Sequence, residues 1–570
     1  MTRYLLAFLL CAMSANATTY YIKVGGSNAS AGTSWATAWA DHTHLNDGTF
    51  HGGDTVYFGP GRYKNVNIKP VAGGTNGDKT AYLSGDGVGT SLSIGTARLY
   101  GGDSIGGWTV YGSGVYQASF TNPSYGAWGR TMFTLVQGDS ILVQNSTGTM
   151  PTVPGNFYYD GTANIIYAYP YTIGGVSNPN SFAMWTGNYT VVDFSTASAS
   201  NVSIVGFDIK YGKQWLIFLG SGQADSSLIS NCSLRYVSGP ASDNTAVIAS
   251  YSSGITDTAG FGYRNTIRAC YIDYCKQKDG GAANQAYATD FYCQMYLTVE
   301  SCVVWGGHIY GENALYYKGN GLNGTPPTGL TFRYNQVKGG FVYGLIRIYG
   351  KQNRMYIYGN ILYNTYSGTQ DNRGLMFEGK DAVSATLPCY IYNNTAYSTT
   401  KSLSYAYQIG EPPQTPNGST IYVYRNIASG WYVGIEDRQS NVIVSDSNCL
   451  YDCTYMVRNF TKGIYDISYN PGFDNLTTFS RTGAATECNA TLPDGKPVTL
   501  YGAWQSSVAA TTGACCAPDG TCSIQTEADC IAASGTYQGD GTSCSPNPCP
   551  VTYTKDYRGK IDLKGKIEIK

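Results

Sequence analysis

The chain has 570 residues, among them 71 Gly and 51 Tyr, and only 13% are charged. That length exceeds one compact core, so it requires several domains or one elongated repeat. With 36 Lys+Arg against 37 Asp+Glu the net charge is -1, which argues against a general attraction for nucleic-acid phosphates or anionic membranes. The richness in Gly, Thr, Ser, Asn, Tyr and Val disfavours a helical bundle and predicts short strands joined by many turns.

Residues 1–17 read as a signal peptide: Arg3 supplies the positive end, Tyr4 to Met13 the apolar stretch and Ala15-Asn16-Ala17 the cleavage signal, so the mature chain would begin at Thr18 without Cys11. No later stretch reaches eighteen uninterrupted apolar residues. The expectation is a soluble, secreted protein without a membrane span. Sequons of the form N-x-S/T recur, Asn188 and Asn417 among them, and make glycosylation an expectation wherever the host supplies the machinery.

Residues 18–137 are assigned to an N-terminal cap and the first coils, with a helix over Trp35 to Leu45 closing the end of the core. Residues 138–200, with GNFYYDGTANIIYAYPY, read as an antiparallel insertion. From 201 to 490 a pattern of apolar, x, x, Asn or Cys, x, apolar keeps returning, in IVGFDIKY, ISNCSLRY, IRACYIDY, VESCVVWG, FRYNQVKG, IYGNILYN, IYNNTAYS, VYRNIASG and VSDSNCLY. It aligns Phe207, Cys232, Cys270, Cys302, Asn335, Asn360, Asn394, Asn426 and Asn448 in one column at intervals of 22 to 38 residues, which suits one coil of short strands per interval.

This column resembles the asparagine ladder of right-handed parallel β-helices of the pectate-lyase-like superfamily. The opening YYIKVGGSNASAGTSWATAWADHTHLNDGTFHGGDTVYFGPGRY is similar to the start of many exported β-helix proteins. The fold class implied is all-β, a right-handed parallel β-helix with an N-terminal cap, the insertion and a small C-terminal disulfide-rich module. At the ladder positions Cys232, Cys270 and Cys302 read as small core-facing residues rather than metal or redox groups.

Residues 491–512 form an exit segment. Within 513–550 fall Cys515, Cys516, Cys522, Cys530, Cys544 and Cys549, a density that predicts three disulfides; no His accompanies them, which disfavours zinc. The stretch resembles small Cys-rich repeats appended to exported bacterial and some viral proteins. Residues 551–570, ending DYRGKIDLKGKIEIK, alternate apolar and charged side chains as a basic hairpin or an edge strand for self-assembly.

Chemistry is sparse. Only His42, His44, His51 and His308 are present, and no G-x-S-x-G, P-loop or H-E-x-x-H motif occurs. The strands NALYYKGNG, YGLIRIYGK, RGLMFEGKD, SYAYQIGEP and YVGIEDR, aligned near their closing residues with period-two alternation, direct Leu315/Tyr317, Ile346/Ile348, Leu375/Phe377, Ala406/Gln408 and Val433/Ile435 inward. Tyr316/Lys318, Arg347/Tyr349, Met376/Glu378, Tyr407/Ile409 and Gly434/Glu436 then face outward. Coils about 4.8 Å apart would bring Lys318, Arg347 and Glu378 onto one face, with Asp290 of the preceding coil.

A Lys and an Arg beside carboxylates suit β-elimination at a uronic acid, where a cation or Ca²⁺ neutralises the sugar carboxylate while a base removes the adjacent proton. The arrangement resembles β-helical alginate and chondroitin lyases, which implies Lys318 as base and Arg347 as its partner. Those enzymes place acidic calcium ligands ahead of the lysine; here Glu312 stands there, with Glu378 and Asp290 as substitutes. Tyr316, Tyr349, Tyr407 and Glu436 are the expected substrate-binding residues. The expected partner is thus a polysaccharide or cell-surface glycan. Hydrolysis by Glu378 and Glu436, a non-catalytic fibre or attachment protein, and a viral spike or glycan adhesin remain as alternatives.

Overall fold

A computed structural model describes residues 17–481, apart from stretches of which the longest are 122–133, 251–261, 278–285 and 320–327, together with parts of 512–549. Residues 1–16 of the expected signal peptide, His308, Glu312, Cys530 and the tail 551–570 lie outside the described residues. The chain divides into two units, Met1–Trp504 and Gln505–Lys570.

The first unit is a parallel β-helix whose strands lie in three files, and from Val202 to Arg458 each coil contributes one strand to each. The first file is a twelve-stranded sheet running from Thr19–Ile22 to Ile443–Asp446, parallel throughout. The second runs from Gly61–Tyr63 to Cys449–Tyr451 and the third from Val192–Asp193 to Tyr455–Arg458. The single pairing of Lys213 with Trp215 joins these two into one twenty-one-stranded sheet.

Side chains of like character stack in register. In the first file Val56, Tyr82, Ile204, Ile229, Ile267, Val299, Phe332, Ile357, Ile391 and Val423 stand opposite one another on consecutive rungs, none more than 1% exposed. Each coil buries its apolar face only against its neighbours, and one continuous hydrophobic cluster extends from Ile22 to Leu450.

The ladder occupies the bend from the first file to the second. Asn335, Asn360, Asn394 and Asn426 each donate through Nδ2 to Oδ1 of the next Asn, at 2.9 to 3.0 Å, and accept from the backbone N–H of the residue one coil before. Asn448 passes the chain on to Asp466, whose Oδ1 accepts from both its backbone N–H (2.8 Å) and its Nδ2 (2.9 Å). The residue before each ladder position, from Gly206 through Asn231, Ala269, Ser301, Tyr334, Gly359, Asn393 and Arg425 to Ser447, has φ between 51° and 84°. Only Gly adopts that region without cost. Asn360, Asn394, Asn426 and Asn448 offset the strain by bonding the carbonyl two residues back, as Asn360 does with Tyr358 at 3.1 Å. Cys232, Cys270 and Cys302 are buried free thiols that make the same contact, with Ser230, Arg268 and Glu300.

Several expectations are corrected. The helix over Trp35 to Leu45 is only a 3-10 turn at Thr43–Leu45; the end of the core is closed by the extended segment around Trp39, 1% exposed, whose backbone bonds Tyr21 and Lys23 at 2.9 Å. The mostly antiparallel insertion opens at Ser104 rather than 138 and closes at Gly187 rather than 200, because Val192–Asp193 already pairs in the third file. The sequon residues Asn188 and Asn417 are 3% and 1% exposed, too buried to carry a glycan in the folded state. No α-helix occurs among the described residues, and no helix is long and apolar enough to cross a membrane.

The second unit contains a three-stranded antiparallel sheet of Thr512–Cys516, Cys522–Thr526 and Thr536–Asp540. Disulfides join Cys516 to Cys549 and Cys522 to Cys544, and Cys515 is disulfide-bonded as well.

Candidate functional site

The third file presents two outward columns. One carries Phe218, Ala249, Asp290, Tyr316, Arg347, Met376, Gln408, Glu436 and Arg458 on successive coils. The other, two residues further along each strand, carries Tyr292, Lys318, Tyr349 and Glu378. Lys318 and Arg347 therefore sit on adjacent coils along a diagonal rather than directly opposite.

Lys318 is half-buried between two phenol rings, with Nζ 4.8 Å from the centre of Tyr292 and 5.3 Å from that of Tyr349, and it donates to the Tyr292 hydroxyl at 3.4 Å. The Arg347 guanidinium lies 5.5 Å from the Tyr316 ring and 5.3 Å from that of Tyr343. It holds Glu378 Oε2 through both Nε and a terminal nitrogen at 3.0 Å. Tyr316 and Tyr349 are 6% and 8% exposed, and Tyr316 stacks on Tyr287 at 5.0 Å. A ligand on this face would thus meet Lys318 and Arg347 before it met the tyrosine rings, which corrects the expectation of a sugar-stacking surface.

Tyr407 is not on this face at all. It registers with Leu375 and Ile435, is fully buried in the core, and donates to the carbonyls of Asn394 and Ile427 at 3.1 and 3.0 Å. The outward residue of its strand is Gln408, and Ile409 points inward opposite Phe377. Strand Ser404–Ile409 reaches Gly410 one residue earlier than its neighbours reach their closing glycines, so alignment on the glycine inverts its parity.

Beyond Glu378 the face continues as a charged network not foreseen in the sequence. Arg373 donates to Gln408 (2.9 Å) and approaches Asp371 (3.3 Å) and Glu411 (3.7 Å); Arg438 meets Glu411 at 3.2 Å; Arg458 donates to Glu436 at 2.6 Å. Burial pushes the carboxyls of Glu378 and Glu436 above the usual range, against the opposing pull of Arg347 and Arg458. Register places these two glutamates two coils and two residues apart, about 12 Å between backbones.

As to calcium, Asp290 is 1% exposed and Glu378 is committed to Arg347. Among the described residues no group of three His, Cys, Asp or Glu side chains could hold a metal ion, and Glu312, the third residue of the expected calcium set, lies outside them.

No family model matches this chain, and no curated protein matches it in sequence. Among solved structures it is similar to XylC in complex with xylose, at 11% identity over 78% of this chain and 86% of that one, with a TM-score of 0.48. A glycoside hydrolase is similar at 11% identity over 76% and 96%, with a TM-score of 0.46. PfbA, a surface adhesin of Streptococcus pneumoniae, is similar at 10% identity over 72% and 86%, with a TM-score of 0.32.

Proposed function

We propose that this chain is an exported β-helix protein of the pectate-lyase-like kind that cleaves an acidic polysaccharide by β-elimination. The observation that supports the reading is the outward pair of Lys318, beside the Tyr292 hydroxyl, and Arg347 on the next coil. Lys318, once it has given up its own proton, takes the C5 proton of the uronic acid. The C5–H electron pair forms the C4–C5 double bond as the C4–O bond breaks, and the leaving oxygen acquires its proton from the Tyr292 hydroxyl. Arg347 neutralises the sugar carboxylate and its developing enolate.

The test is incubation of the full chain with alginate, pectate and glycosaminoglycans, with and without Ca²⁺, following the ultraviolet absorbance of the unsaturated product. The expected result is product from at least one polymer and none from Lys318→Ala at unchanged melting temperature. No product from any polymer, or full activity in Lys318→Ala, overturns the reading. A non-catalytic surface protein is the second reading, favoured by the internal pairing of the Arg347 to Arg458 network, and absence of product is its expected outcome.

A further inference from the structure

A second concentration of cations lies on the second file, against the insertion. In strands Gly61–Tyr63, Ala97–Tyr100, Asp208–Lys213 and Ser233–Gly239 the register sets Arg62 opposite Arg98, Arg98 opposite Asp208, and Lys210 opposite Arg235. The alternate residues Tyr63, Leu99, Ile209 and Leu234 are buried, so the charged set faces outward. Together with Trp185 of the insertion strand Met184–Gly187 these side chains line a cleft of about 590 Å³.

Asp208 balances part of this charge, meeting Lys210 at 2.9 Å and Arg235 at 3.2 Å. Arg62 and Arg98 have no carboxylate partner among the described residues, and Nε of Arg235 is buried without an acceptor among them. Like charges directly opposite on neighbouring strands are destabilising. Four cations against one carboxylate, in a chain with so few charges, therefore hold a surplus that an incoming anion would neutralise. Arginine forks match the two oxygens of a carboxylate or sulfate. One wall is stiffened by aromatic packing: Trp185 stacks on Tyr211 with centroids 5.2 Å apart, and Tyr100 packs edge-on against both. The volume lies within the range of sites that hold a small ligand.

We infer that this cleft is a binding site for an anionic saccharide unit, gripped by Arg62 and Arg98 through its carboxylate or sulfate. The saccharide class rests on the proposed function, whereas the site itself is independent of Lys318. Calorimetric titration of the full chain carrying Lys318→Ala, which prevents turnover, with an oligouronate, a sulfated chondroitin oligosaccharide and a neutral cello-oligosaccharide tests it. Binding of at least one acidic oligosaccharide and none of the neutral one is expected, and the preferred acidic probe identifies the anion. Adding Arg62→Ala and Arg98→Ala should weaken binding at least about tenfold without lowering the melting temperature. Arg62→Glu, at an exposed position, should weaken it as well. Unchanged affinity in these variants, equal binding of the neutral oligosaccharide, or no binding of either acidic probe overturns the inference. Arginine-dependent binding in a chain that forms no unsaturated product would refute the elimination and leave the cleft; product formation with arginine-independent binding would do the reverse.

Discussion

Arg347 and Glu378, on adjacent coils, are joined through two nitrogens of the guanidinium to one carboxylate oxygen at 3.0 Å, with side chains 15% and 5% exposed. Neither residue is dispensable alone. Removing the cation leaves a buried carboxylate without its counter-charge, so Arg347→Ala should lower stability by about 3 kcal/mol at neutral pH. Arg347→Leu with Glu378→Leu should recover most of that loss, because the desolvation cost disappears with both charges. Chemical denaturation of the two variants and the parent measures the difference.

The pH profile follows from the same burial. Glu378 and Glu436 both have folded-state pKa values above those of the unfolded chain, so the folded state holds their protons more tightly. Their contribution to stability is present in full below the ordinary carboxylate range and is lost as pH rises through their raised values. Melting temperatures should therefore fall over that interval. Glu436→Gln should flatten its share of the fall, and the penalty of Arg347→Ala should shrink as acid protonates Glu378.

Tyr407→Phe removes one hydroxyl from the core, takes from the carbonyls of Asn394 and Ile427 the donor they share, and leaves Asn394 only the Ile427 N–H at 2.8 Å. A loss of about 1–3 kcal/mol is expected on denaturation. Any activity per folded molecule should be unaffected, whereas a substrate-binding tyrosine would change KM.

Asn360→Leu keeps similar volume but cuts the ladder at mid-length. The Oδ1 that accepts from Asn335, and the donors to Asn394, Tyr358 and Phe332, all disappear. The expected cost is at least about 1–3 kcal/mol, read as a lower melting temperature of the first unit.

The β-helix was legible because its repeating bend takes the same small polar or thiol donor once per coil, and a requirement imposed eight times, from Cys232 to Asn448, leaves a period in the sequence. Parity along the third file was legible wherever strands close alike. It failed at Tyr407 because Gly410 follows an inward residue, whereas the glycine after Glu378 follows an outward one. Tyr292, beside Lys318, follows from the placement of Asp290 two residues before it. The arginine cleft was hidden for a different reason: the insertion separates Arg98 from Lys210 in the chain although their strands pair. The cations of DIKY and SLRY share a position, and ARLY carries the trace of the same strand.

The ladder also has a direction. Every carboxamide from Asn335 to Asn448 turns its oxygen toward the preceding coil and its NH₂ toward the following one, so five amide dipoles lie head to tail with their positive end at the last coil. Asp466 stands at that end, the charge that such a file of dipoles favours, and as an acceptor with no amide hydrogens it cannot hand the chain onward. A carboxylate there acts as a stop signal: the ladder ends where its side-chain current of hydrogen bonds is grounded, and Ile467, directly after it, bridges to Cys449 as the last parallel contact among the described residues.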